Sequence, residues 1–198
     1  MKKILVYITS FRFLLHWLYI KTTNEDYIKE DVIRNSNLFI YRNLNSCASH
    51  ATFYEFCFLM TFFRMFRNIF YSRVAKKHKY YSKFLSLFAA PLPLLDISST
   101  AEIGGGLIVQ HGYATIIAPR KMGKNCWVNQ GVTIGYTNDN DCPILGDNVI
   151  VYCGAKILGN IHVGDNVIIA ANAVVVKDVP NNCVVGGVPA TILKRNYK

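Results

Sequence analysis

GLIVQHGYATIIAP, residues 106–119, sets a histidine inside an apolar run. An imidazole titrates near neutrality, so His111 is a candidate general base. Such a base needs a carboxylate that fixes its tautomer and stabilises the imidazolium. Asp96, 15 residues upstream, is the candidate. The alternative is a hydrogen-bonded corner histidine, with Asp96 a turn residue. His162, in GNIHVG, reads as an outward face residue. These two are the only histidines after residue 95, and they stand 51 residues apart. That spacing gives no zinc triad, so no metal is expected.

The elements that must position this pair show in a repeat. Aliphatic residues recur every sixth position at Ile97, Ile103 and Val109, and resume one residue late at Ile116, Met122, Val128 and Ile134. After a longer insertion they continue at Leu145, Val151, Ile157, Val163, Ile169 and Val175. A period of six fits a parallel β-helix, with one short strand and one corner per hexad and the aliphatic side chain inward. Three hexads close a triangular coil, which puts Asp96 and His111 at one corner, a rung apart. The extra residue before Ile116 falls just after His111, and predicts a local bulge that exposes the imidazole.

The first half differs. Residues 1–95 hold 14 Lys/Arg against 5 Asp/Glu, and residues 96–198 hold 8 against 7. The +10 excess therefore sits almost wholly in the first half, which suits an anionic lipid or glycan. No nucleic-acid motif is present, so nucleic acid is not expected as a partner. FYEFCFLMTFFRMFRNIFYSRV (53–74) predicts a helix with Arg64, Arg67 and Arg73 as a solvated stripe. KKHKYYSK (76–83) reads as a basic connector. Ile4 to Ile20 is apolar but interrupted by Arg12 and His16, which predicts a buried or interfacial helix rather than a signal peptide or a span. Six scattered cysteines without a C-x-x-C pair read as reduced thiols, and the expected location is cytoplasmic, with peripheral contact to the inner membrane face left open.

The hexads resemble those of the hexapeptide-repeat acyltransferases, and that resemblance supplies the left hand of the coil. AANAVVVKDVPNNCVVGGVPATILK (170–194) is similar to the last coil and tail of the members that use acyl-CoA. DISSTAEIGGGLIVQHG (96–112) and GAKILGNIHVGDNV (154–167) resemble serine O-acetyltransferases most. The implied architecture is α+β: a helical N-terminal region (1–95), then a left-handed parallel β-helix (96–198) forming an acetyltransferase domain with a C-terminal coenzyme-binding tail.

By that resemblance His111 is the general base and Asp96 its orienter, and acetyl-CoA is the co-substrate. Gly135, Gly154, Ala171 and Ala173 keep a surface low for the pantetheine arm, and Lys177 faces the phosphates, with Lys194 and Arg195 as alternatives. YTNDNDCP (136–143) is the expected acceptor loop, overhanging the site. The serine enzymes end this loop in Arg-His-Pro, where this chain has Asp141-Cys142-Pro143. They also carry an aspartate where this chain has Gln110, and a small alanine where it has Cys153. The expected activity is acetyl transfer to a hydroxyl of L-serine or of a sugar in surface polysaccharide biosynthesis. An amino-sugar N-acetyltransferase and a non-catalytic trimeric scaffold are the alternatives. Family members form trimers with sites between prisms, and a dimer of trimers is also open.

Overall fold

A computed structural model describes residues 2–23, 26–41, 47–138 and 141–195. The chain divides into two compact units, Met1–Leu92 and Pro93–Lys198.

The first unit is helical: α1 (Lys2–Thr9), a 3₁₀ turn (Ser10–Phe13), α2 (Leu14–Thr22), α3 (Asp26–Phe39), α4 (Phe53–Phe62), α5 (Arg64–Lys77) and α6 (Lys79–Ser86). Thr52 starts α4 with a capping box. Its hydroxyl accepts from Glu55 N at 3.3 Å, and Glu55 Oε2 accepts from Thr52 N at 2.9 Å. The expected single helix over 53–74 breaks at Phe63, whose φ of −119° and ψ of 92° are extended. The arginine stripe needs correction as well. Arg67 donates to the Met60 and Thr61 carbonyls, satisfying the end of α4, and Arg64 donates to Pro91 O. Arg73 pairs with the buried Asp31 carboxylate at 3.0 Å. Arg67 and Arg73 are claimed within their own unit by helix-end carbonyls and a buried acid, whereas Arg64 stays exposed while it donates to Pro91 O. The basic segment 76–83 is likewise no connector, since α5 ends at Lys77 and α6 runs through it to bury Ser82 and Leu85.

Phe13, Phe56, Phe66 and Phe70 form the centre of this unit's core. His16 sits among them, fully buried, with Nε2 3.1 Å from the Tyr71 hydroxyl. That hydroxyl donates to Ala89 O at 2.8 Å, so the imidazole must be the donor to Tyr71. Burial depresses the His16 pKa from 6.5 to about 4, and the nearby Arg12 and Arg67 charges push the same way.

The second unit winds as a parallel β-helix. The first coil carries β1 (Leu95–Ile97), β2 (Glu102–Ile103) and β3 (Ile108–Val109). The second carries β4 (Thr115–Ile117), β5 (Lys121–Met122) and β6 (Trp127–Val128), and the third β7 (Thr133–Gly135), β8 (Ile144–Leu145) and β9 (Ile150–Val151). The fourth has β10 (Lys156–Leu158), β11 (His162–Val163) and β12 (Ile168–Ile169). β13 (Val174–Val175), β14 (Cys183–Gly187) and the returning β15 (Ala190–Arg195) close the prism. Stacking gives three faces: β1-β4-β7-β10-β13, β2-β5-β8-β11, and β3-β6-β9-β12-β14-β15.

Twelve of the thirteen repeat aliphatics face the core; Ile116 does not. It is 46% exposed while Ile117 is fully buried, and Ile117 pairs with Ile97 below and Ile134 above. The inserted length before β4 is therefore two residues, not one, and the following hexad is one shorter. Adjacent isoleucines hide this from a count by residue type, because only the pleat decides which one points inward.

At the corner between the second and third faces, Asn125, Asn148, Asn166 and Asn182 all hold left-handed backbone, which asparagine tolerates. Asn148 Nδ2 donates to Asn166 Oδ1 at 3.2 Å, and Asn166 Nδ2 to Asn182 Oδ1 at 3.0 Å. Beside them, Asp147 Oδ1 accepts from Lys124 N, Asp165 Oδ1 from Asp147 N, and Asn181 Oδ1 from Asp165 N. Each coil thus satisfies backbone donors of the one before.

Candidate active site

His111 occupies the corner between the third and first faces. Its φ is +65°, and Gly112 N donates to Gln110 O at 2.8 Å, closing a γ-turn around it. A γ-turn with positive φ is rare and strained, and β-carbon crowding makes left-handed backbone cost about 1–2 kcal/mol outside glycine. The corner is over-determined by its neighbours. Gln110 N donates to Val128 O, Gly131 N to Tyr113 O, and the buried Thr115 hydroxyl bridges Tyr113 O and Gly131 N. The result is an exposed imidazole on a braced backbone. Strain of this kind clusters where a side chain is presented for function.

Asp96 points outward from β1 beside Ile116, in a row that continues through Thr133 and Lys156 on the first face. Among the described residues no hydrogen bond or ion pair joins Asp96 to His111, and the Asp96 carboxylate makes none elsewhere. His162 is exposed on β11, as a face residue.

The expected coenzyme residues fall on two different edges. Gly154 and Ala171 stack above His111 on its own edge, in the corner column linked by Gly131 N to Tyr113 O, Gly154 N to Gln130 O, and Asn172 N to Cys153 O. Gly154 has φ of +73°, which strains any other residue, and a Cβ there would have to displace the Asn172 side chain, so this surface is low. Ala173 differs from expectation: it is fully buried, its methyl packs the core, and its carbonyl accepts from Lys156 N. Any contact at that position runs through backbone. Gly135 and the exposed Lys177 stand at the other edge of the first face. A Cβ at Gly135 would meet nothing within 4 Å, which leaves an open cradle where an extended chain can lie.

The acceptor loop also needs correction. Residues 136–143 lead from β7 to β8, at the first-to-second corner, whereas His111 leads into the opposite end of the first face. A three-residue strand spans roughly 10 Å between those corners. Within one chain the loop therefore does not overhang the imidazole. Asp141 Oδ1 accepts from Thr137 N at 2.7 Å and Asn138 N at 2.9 Å, and Oδ2 accepts from Thr137 Oγ1 and Asn138 Nδ2. The Thr137 hydroxyl bond, then the Asn138 amide, hold its carboxyl below the usual carboxylate range. Its charge is spent on tying its own loop. Cys142 is half-exposed, and Gln110 is half-buried next to the γ-turn.

Among the described residues no group of three His, Cys, Asp or Glu is placed to hold a metal ion. Residue type and spacing do not announce a cavity of about 410 Å³ at the first-to-second corner, which Arg120, Ser98, Thr100 and Tyr136 line together with Cys142. Their signal was position. They lie in the corner after the first-face strand on three successive coils, a column that only the stacking reveals.

Residues 142–177 match the bacterial transferase hexapeptide (six repeats) family. The chain is 38% identical over 118 residues to the serine acetyltransferase of Synechococcus elongatus, covering 58% of this chain and 48% of that protein. It is 37% identical over 126 residues to that of Staphylococcus xylosus, covering 61% and 58%. The chain thus spans about half the length of these relatives. In structure it resembles Neisseria gonorrhoeae serine acetyltransferase in complex with serine, with a TM-score of 0.68, 27% identity, and coverage of 96% of this chain and 82% of that one. The chain carries a hexapeptide-repeat match and has the left-handed β-helix fold of the serine acetyltransferases, to which it is similar in sequence as well as in structure.

Proposed function

We propose that this chain is an acetyl-CoA-dependent O-acetyltransferase. The observation that carries the proposal is the braced γ-turn holding His111 exposed on the same prism edge as the low surface at Gly154 and Ala171. His111 takes the acceptor hydroxyl proton as the oxygen attacks the thioester carbonyl carbon. The C–S bond then breaks, and the imidazolium returns the proton to the departing thiolate. By the resemblance Asp96 is the carboxylate proposed to orient the ring, although it makes no hydrogen bond to His111 in this structure. The acceptor loop stands at the opposite edge, so a complete site takes a base from one copy and a loop from its neighbour. That supports a homotrimer, the symmetry in which each prism edge meets the next.

The similarity to serine acetyltransferases favours L-serine as acceptor, and the Asp141-Cys142-Pro143 loop end favours a sugar hydroxyl. A thiol-release assay with acetyl-CoA, offering L-serine and then nucleotide sugars or oligosaccharides, separates them. Saturable serine turnover ends the sugar reading, and turnover with sugars alone ends the serine reading. If calorimetry finds no acetyl-CoA binding, the enzyme assignment is wrong and the scaffold reading stands.

A second reading concerns the first unit. Lys3–Thr22 is long and apolar enough to cross a membrane by length and composition, and only 28% of it is buried. Ile4, Tyr7, Ile8, Phe11, Leu14 and Leu18 are all more than half exposed, on a unit with a large excess of positive charge. An amphipathic stretch of this kind lies in an anionic interface. Co-sedimentation with phosphatidylglycerol vesicles, and much less with phosphatidylcholine vesicles, is the expected result. Equal recovery in the supernatant with both lipids would rule this reading out.

A further inference from the structure

On the first face the outward row runs Asp96, Ile116, Thr133, Lys156 and Val174, one residue per coil. Lys156 departs from its row. Its ammonium reaches down to the corner that leads into β7 and donates to Gly131 O at 2.5 Å. The lysine backbone is fixed separately, since its N–H donates to Ala173 O at 2.8 Å on the coil above.

Gly131 O is the carbonyl that the backbone ladder misses. Its neighbours follow the ladder, with Gln130 O accepting from Gly154 N and Thr133 N donating to Ala155 O. Gly131 itself has φ of +71°, and among the described residues no backbone N–H reaches its carbonyl. The Lys156 ammonium takes that place. The corner held in this way is bonded to the turn that carries the base. Gly131 N donates to Tyr113 O at 2.9 Å and to the Thr115 hydroxyl at 3.0 Å. That hydroxyl, on a fully buried residue, donates in turn to Tyr113 O at 3.0 Å. One connected path therefore runs from Lys156 Nζ through Gly131 to Tyr113, two residues after His111.

The strap is particular to this corner. Val174 holds the equivalent place over Gly154 and offers no donor, and the Thr133 hydroxyl makes no bond among the described residues. Glycine at positive φ is the most freely moving kind of corner when nothing ties it. An ammonium is a strong tie, because charged donors make short and strong hydrogen bonds. Loss of aim matters at a base, where a displacement of about 1 Å can cost about 10²-fold in rate. We propose that Lys156 is a positioning residue for His111: its ammonium fixes Gly131 over Tyr113, and so fixes the turn that aims the imidazole. The assignment rests on the acetyl-transfer reading above and goes beyond it by giving the base a support two corners up the prism. In this role Lys156 touches neither acceptor nor thioester, and acts through backbone alone.

The test uses the full-length protein. Lys156→Met keeps the methylene stem and removes the donors, Lys156→Arg restores a cationic donor, and Lys121→Met removes an exposed lysine of the second face as a control. Lys156→Gln, with a shorter neutral side chain, repeats the test if Lys156→Met does not fold. Turnover is read as thiol release from acetyl-CoA with L-serine or D-glucose, whichever the parent acetylates. Lys156→Met is expected to lower kcat about tenfold or more and to leave KM for acetyl-CoA within about twofold, since a loosened base weakens the transition state and not coenzyme binding. Lys156→Arg recovers most of the rate, and Lys121→Met matches the parent. Order at the base is read without turnover from the imidazole Cε1–H NMR signal of His111, assigned with His111→Asn. The signal is expected to be single and sharp in the parent and in Lys156→Arg, and broadened or split in Lys156→Met. An unchanged signal in Lys156→Met, a kcat within about threefold of the parent, a loss confined to KM, or an equal loss in Lys156→Arg would each overturn the proposal. A parent that releases no thiol sinks the acetyl-transfer reading alone, and the NMR signal then decides the strap by itself.

Discussion

His111→Ala is expected to lower turnover by about 10²- to 10⁴-fold, the range that a positioned acid–base group supplies, while acetyl-CoA still binds. The surface proposed for the coenzyme, at Gly154 and Ala171, lies on higher coils of the same edge and does not include the imidazole. Position 111 offers an unusual control because its φ is +65°. His111→Gly removes the β-carbon crowding, worth about 1–2 kcal/mol, but adds unfolded-chain entropy worth roughly 0.5–1 kcal/mol. His111→Asn keeps a side chain that tolerates the left-handed region. Both variants are therefore expected to melt close to the parent temperature and yet to be as inactive as His111→Ala. Turnover above a tenth of the parent rate in any of the three would remove His111 as the base. Inactivity with a collapsed melting temperature would show that the γ-turn, not the imidazole, is what the activity needs.

The second large effect concerns pH and the helical unit. In the folded chain His16 titrates at about 4, and once unfolded it returns to its ordinary 6.5. Above pH 6.5 both states hold it neutral, and it adds no pH dependence. Below that value the unfolded chain takes up a proton that the fold refuses, so stability falls as the pH drops. The slope approaches about 1.4 kcal/mol per pH unit. Denaturant titrations followed by helical circular dichroism are expected to show a loss of about 2–3 kcal/mol from this residue between pH 7 and pH 4.5. His16→Phe leaves the Tyr71 bond to Ala89 in place and removes the titration, so its pH dependence is expected to be shallower by that amount. Parallel curves for parent and variant would contradict the assignment.

The repeat was legible because an inward aliphatic every sixth residue has few explanations other than a coil. Its details were less so. Coils of a uniform 18 residues place Asp96, His111 and the 136–143 loop around one corner. The actual spacing along the first face, from Ile97 to Ile117 to Ile134 to Ile157, is uneven. Corner insertions absorb that unevenness without disturbing any face. The 20-residue first coil spends its surplus on the γ-turn at His111. The third spends its surplus on the Asp141-tied loop, one edge away. The late return of the repeat announces a bulge after His111, but residue type does not announce left-handed backbone at the histidine itself, so the γ-turn was not readable. In the helical unit, Arg64, Arg67 and Arg73 read as surface charges because the carbonyls and the acid that claim them, Pro91, Met60 and Asp31, are brought together by tertiary packing rather than by sequence.

The asparagine column carries one more consequence. Each rung accepts from the coil before it and donates to the coil after it, so the column is a repeating unit that is its own neighbour. Such a lattice has no preferred number of rungs and contains nothing that tells it to stop. Termination comes instead from β15, which doubles back antiparallel on β14 from Ala190 to Arg195. The third face then ends in a strand of reversed polarity, against which the next parallel rung cannot continue the pattern. The finite length of the prism, and its resistance to growing end to end with other copies on that face, is thus written in six residues of tail rather than in the repeats.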